Sequence, residues 1–139
     1  MNTNDLIYLA GLFDGEGSIS LIKRNDSKSY RLQVVLSNTH KETLIWAQEF
    51  FRSGCIYKTY GSYKYKLGKP NKQCYNLAWT DKTGQEVLSS LYPWLRIKKS
   101  EADIVLRFRA TYTGRQRSKQ LYDARGAFLT ELAEVRDKR

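Results

Sequence analysis

A chain of 139 residues is the size of one domain with a substantial core, too long for a peptide and too short for a multidomain machine. Its 24 Lys and Arg against 14 Asp and Glu give a formal charge of +10, which calls for a polyanionic partner, while 41% hydrophobic residues with ten Tyr, five Phe and three Trp exclude a disordered basic tail. Cys55 and Cys74 are neither at CxxC spacing nor accompanied by more than one His, so no zinc site or disulfide scaffold is expected. A reducing, intracellular setting fits, because no run approaches the ~18 apolar residues of a membrane span and Asn2, Asn4 and Asp5 stand where a secretory signal is positive.

Thr3 or Asn4 is expected to cap a helix over about 5–14, with Leu6, Leu9, Ala10 and Phe13 repeating on one face. Residues 18–24 and 30–37 read as a hairpin in which Leu32, Val34 and Leu36 face the core and Arg31, Gln33, Val35 and Ser37 face away. Thr39 followed by Glu42 has the spacing of a capping box for a helix that ends before Gly54. Strands are expected at 55–60 and 74–80, joined by a Gly, Lys and Tyr rich connection. Thr80 or Asp81 then caps a helix to about Leu91, Pro93 reshapes it, and helices follow over about 100–110 and 118–135. The order αββαββα plus further helix indicates a single α+β domain, 1–139, rather than a parallel sheet with crossovers.

The positive charge is clustered. Between Glu49 and Asp81 no acidic residue occurs, yet Arg52, Lys58, Lys64, Lys66, Lys69 and Lys72 alternate with Tyr57, Tyr60, Tyr63, Tyr65 and Tyr75. Alternate strand residues share a side, so such a ribbon suits phosphates in a major groove, and Tyr rings beside Lys also suit unpaired bases. Arg107, Arg109, Arg115, Arg117 and Lys119 form a second cluster. Two separated clusters favour a long ligand over a small anion.

The run Leu9, Ala10, Gly11, Leu12, Phe13, Asp14, Gly15, Glu16, Gly17 sets two carboxylates among three glycines after an apolar helix. Gly11 and Ala10 permit a close approach to another helix, and Gly15 and Gly17 free the backbone to turn. Asp14 and Glu16 carry negative charge where the helix dipole disfavours it, which makes sense if a metal or hydrogen-bond donors meet one of them. Two such helices packed about a twofold axis would bring hard oxygen ligands together for divalent ions of the Mg²⁺ type.

This nine-residue run resembles the motif of the LAGLIDADG homing endonucleases, and the order of the remaining elements is similar to that family's αββαββα core, with C-terminal helices added and a saddle-shaped antiparallel sheet. One copy of the motif implies half of a homodimer with the motif helices at the interface, carrying Leu6, Leu9, Ala10, Gly11 and Phe13. The resemblance implies a metal-dependent double-strand break in a long, roughly palindromic duplex that leaves short 3′ extensions. Mg²⁺ is the implied cofactor, with Mn²⁺ as a substitute and Ca²⁺ as an ion that binds without supporting cleavage. Glu16 falls on the metal-binding acidic position, with the Gly15 main chain close by and Asp14 on the earlier acidic position, where helix-end structure is the commoner role. Lys98, within Leu95 to Lys99, matches the basic residue near the scissile phosphate, and His40 falls near a polar position that holds water. DNA contacts are expected from Lys23, Arg24, Lys28, Arg31 and Gln33 on the first hairpin and from Lys58, Tyr60, Lys64, Lys66 and Lys72 on the second. The same resemblance also admits a group I intron RNA splicing factor, with intron RNA as partner, or a nuclease-inactive DNA-binding protein. An organelle or the bacterial cytoplasm would suit any of them.

Overall fold

Asn2, rather than Thr3 or Asn4, starts the first helix: its side-chain oxygen accepts the backbone N–H of Asn4 at 2.9 Å and of Asp5 at 3.4 Å. The computed structural model describes residues 2–24, 29–59, 72–112 and 119–138, apart from the side chains of 119–123. The elements are α1 (Thr3–Glu16), β1 (Gly17–Lys23), β2 (Tyr30–Asn38), α2 (Lys41–Phe51), β3 (Cys55–Lys58), β4 (Tyr75–Thr80), α3 (Asp81–Leu91), a 3₁₀ turn (Tyr92–Trp94), α4 (Lys99–Ala110) and α5 (Lys119–Asp137). This is the αββαββα core with C-terminal helices added.

The four strands form one antiparallel sheet in the order β1-β2-β4-β3. Alternation decides its two sides. Ile19, Leu21, Leu32, Val34, Leu36, Leu77 and Trp79 are buried beneath the helices. Registered between them on the other side are Ser18 opposite Val35 opposite Ala78, and Ser20 opposite Gln33 opposite Thr80. The sheet is therefore apolar on one face and mixed on the other, where Ile22 and Tyr57 are exposed beside Ser, Gln, Asn and Thr.

Several local details differ from the expected ones. Helix α1 runs on through Gly15 and Glu16, and the Gly17 N–H closes it on the Phe13 carbonyl. The Thr39–Glu42 capping box does not form: α2 starts after His40, whose N–H is accepted by the Asn38 side chain at 2.9 Å. Thr80 makes no side-chain cap on α3, and the Asp81 carboxylate instead accepts the Leu32 N–H at 3.1 Å, holding β2 just past its pairing with β4. At the end of α2, Gly54 has φ +105°, and a Cβ there would lie 2.6 Å from Leu77 and 2.7 Å from the Trp79 indole.

Helix α5 packs on α4 through Leu132, which is buried, and through Phe128, edge-on to Phe108 at 6.0 Å. Polar links reinforce it. Arg136 donates to the buried Glu101 carboxylate at 3.0 Å, and Arg107 bonds both Asp103 and Glu131. Those two carboxylates push the Arg107 guanidinium above its ordinary range. Among the described residues, no helix is long and apolar enough to cross a membrane.

Candidate active site and nucleic-acid face

The end of α1 is built from two distant parts of the chain. Asp14 is 8% exposed, and its carboxylate accepts the Arg96 N–H at 2.8 Å and the Lys98 N–H at 3.0 Å. Lys98 is 7% exposed, and its Nζ donates to the Asp14 backbone carbonyl at 2.6 Å. Carbonyls in the last turn of a helix lack intrahelical donors, and a cation there is favourable to the dipole. Helix α1 has no basic residue in its last turn, so this contact across 84 residues supplies the missing cation.

Glu16, two residues further on, is exposed and makes no hydrogen bond or ion pair among the described residues. It is the carboxylate presented outward. Asp14, by contrast, has both oxygens engaged with backbone N–H groups, so the expected metal set of Glu16, Gly15 and Asp14 narrows to Glu16 and the adjoining main chain. The donor chemistry suits a hard divalent ion, whose ligands are oxygens. It is a partial set, since among the described residues no group of three or more His, Cys, Asp and Glu side chains stands ready to hold a metal.

His40 is separate from this pair. It lines a groove of about 400 Å³ with Asp5, Tyr8, Glu42, Thr43 and Trp46. Its Nδ1 lies 2.6 Å from Thr43 Oγ1, its Nε2 lies 3.7 Å from Glu42, and no bond among the described residues joins it to Glu16 or Lys98.

The residues expected at an interface on α1 divide between the core and the surface. Leu9, Ala10 and Phe13 are buried in the protomer's own core, and Leu6 packs partly against it. The outward face carries Ile7, Tyr8, Gly11 and Gly15, and a Cβ added at either glycine would meet nothing within 4 Å. Gly11 alone of the expected set faces out.

On the open side of the sheet, Arg31 and Gln33 stand as expected, Arg31 opposite Ile22 and Gln33 between Ser20 and Thr80. Lys23 and Lys58 do not belong to this side. Lys23 is registered with the buried Tyr30, and Lys58 has the parity of Ile56, whose partner Leu77 is buried. Tyr57 and Cys55 take the open side of β3 instead. Among the described strand residues, Arg31 is the sole cation of the open face, which otherwise offers Ser, Gln, Asn and Thr groups suited to base edges. Arg24 and Lys72 are exposed beyond the strand ends, while Lys28, Tyr60, Lys64 and Lys66 lie outside the described residues.

Two members of the second basic cluster are engaged within the protein. Arg107 is held by Asp103 and Glu131, and Arg109 by Gln85 at 3.2 Å, with its guanidinium 4.8 Å from the Tyr112 ring centre. Arg115, Arg117 and the Lys119 side chain lie outside the described residues. Sequence reasoning passed over Ser20, Asn76 and Thr80, whose signal was the alternation of their strands.

A family model described as LAGLIDADG endonuclease matches residues 9–78, and the chain belongs to that family. Among solved structures the fold is similar to that of the homing endonuclease I-CvuI, determined with its target in the presence of calcium. The TM-score is 0.75 and the identity 17%, over 96% of this chain and 85% of that one. It is similar also to the archaeal intron-encoded homing endonuclease I-Vdi141I complexed with DNA, with a TM-score of 0.74 and 16% identity, over 96% and 84% of the two chains. Against the homing endonuclease I-SmaMI bound to cleaved DNA, the TM-score is 0.71 at 12% identity, covering 95% of this chain and 45% of the other. No curated protein matches significantly in sequence.

Proposed function

We propose that two copies of this chain pack through α1 and make a metal-dependent double-strand break in a long, roughly palindromic DNA target, leaving short 3′ extensions. The observation that carries this reading is the Lys98 ammonium, 2.6 Å from the Asp14 carbonyl, at the helix end that presents the exposed Glu16. Family membership supplies the reaction class. Glu16 and the Gly15 main chain would hold Mg²⁺, or Mn²⁺ in its place, with phosphate oxygens and the second copy completing the shell. A bound divalent ion supplies charge stabilisation at phosphoryl oxygens and a more acidic water. Lys98 has three N–H donors and offsets negative charge growing on the phosphate. The open sheet face would lie in the major groove, Gln33 and Arg31 reading base edges and Arg24 and Lys72 neutralising phosphates.

Digestion of a randomised duplex library, followed by sequencing of both ends, tests the reaction. Breaks confined to one related set of sites are expected in Mg²⁺ and none in EDTA or Ca²⁺; a folded protein that makes no site-specific break in Mg²⁺ overturns it. Glu16→Gln is expected to bind the recovered site in Ca²⁺ with unchanged affinity and to cleave it at least about a hundredfold more slowly. Undiminished cleavage would remove Glu16 from the mechanism.

A further inference from the structure

The segment that delivers Lys98 is irregular. Leu95 is buried and its N–H bonds to the Tyr92 carbonyl, while the Lys98 carbonyl accepts the Ala102 N–H as α4 begins. Between these two anchors the backbone bends, and Arg96 and Ile97 are exposed, Ile97 at 57%. Lys98 occupies the N-cap position of α4, but its side chain makes no cap there and turns to α1 instead. What grips this stretch from outside is Asp14, one carboxylate oxygen on the Arg96 N–H and the other on the Lys98 N–H. Alternate N–H groups two residues apart match the two oxygens of one carboxylate. An amide in its place would keep one acceptor and turn an N–H₂ toward the other donor.

We propose that Asp14 is a positioning residue: its carboxylate fixes the 96–98 backbone and thereby sets the Lys98 ammonium at the end of α1. Its value to cleavage rests on the nuclease reading of Glu16 and Lys98, whereas the latch itself does not. The contact is reciprocal, because Asp14 holds the Lys98 main chain while the Lys98 side chain holds the Asp14 main chain. Loss of the carboxylate leaves two donors without their acceptor and lets the ammonium drift, and displacement of about 1 Å at a reacting centre can cost about a hundredfold in rate.

Two measurements on the full chain test this, with Asp14→Ala and the more conservative Asp14→Asn compared. Amide hydrogen exchange is expected to speed up at both Arg96 and Lys98 in Asp14→Ala and at one of the two in Asp14→Asn, with the strand amides of β2 and β4 as protected as before. In single-turnover cleavage of the recovered site in Mg²⁺, Asp14→Ala is expected to lose about a hundredfold and Asp14→Asn to retain an intermediate rate. Lys98→Met should then cost far less in the Asp14→Ala background than alone, and binding in Ca²⁺ should be unchanged throughout. Unaltered exchange at both amides, or Asp14→Ala and Lys98→Met losses that multiply in full, would overturn the proposal. If the unaltered chain cleaves nothing, the nuclease reading falls by itself and the exchange data still decide the latch.

Discussion

Gly17 stands where the last turn of α1 becomes β1, and a Cβ at this position would lie 2.4 Å from the Phe13 ring. The ring is itself buried under the sheet, so it has little room to yield. Gly17→Ala is expected to destabilise the fold by ~1–3 kcal/mol, the usual cost of overpacking a filled core, and a urea titration would show it as a lower midpoint with an unchanged slope. A midpoint equal to that of the unaltered chain would mean that Phe13 moves aside at no cost. The three glycines of the motif thus divide: Gly17 is confined from within, while Gly11 and Gly15 look onto open space. That Gly15 sides with Gly11 was hidden in the sequence, where Gly15 and Gly17 both read as freeing the backbone to turn.

Among the elements, α1 has the most to do. Its inner side carries Leu9, Ala10 and Phe13 into the core, its end receives Lys98, and its outer side shows Ile7, Tyr8, Gly11 and Gly15. If that outer side is where two copies meet, Gly11→Glu should separate them and leave the protomer folded, since a Cβ there meets nothing within 4 Å in the protomer. Light scattering should then move from a dimeric to a monomeric mass. A variant that stays dimeric would place the contact elsewhere. The strands were the most legible elements: alternation in 30–37 gave the correct buried set Leu32, Val34 and Leu36, because a period of two allows one answer once a core exists. The end of α1 was not legible. Local preference stops the helix at Gly15, and what carries it on is packing and a contact 84 residues away. The parity of Lys58 was hidden for a related reason, since its side is fixed by the register of β3 on β4.

For the whole molecule, formal charge and available charge differ. Of the cations that make up the +10, Arg107, Arg109, Arg125 and Arg136 are engaged by the protein's own groups: Arg125 bonds Thr111 at 3.0 Å and lies 3.8 Å from the Tyr112 ring centre, and the others link helices. Within the Arg107–Lys119 cluster, Arg107 and Arg109 find partners 24 residues away, Glu131 and Gln85, which neighbouring residues do not reveal. Binding of the recovered duplex as a function of salt separates the two kinds. Arg24→Ala is expected to reduce the magnitude of the log–log slope by about 0.9 per bound chain, whereas Arg107→Ala leaves the slope unchanged and lowers stability. Equal slope changes for both would show that α4 also meets the duplex.

The latch between Asp14 and Lys98 also orders events in time. Ribosomes make Glu16 before Lys98, and the ammonium meets the end of α1 only when residue 98 lies beside residue 14 in the fold. On the proposed reading, a nascent or misfolded chain that already displays the motif carboxylate is blunt. If the chain cleaves DNA as proposed, that capacity arrives only once residues 14 and 98 have come together.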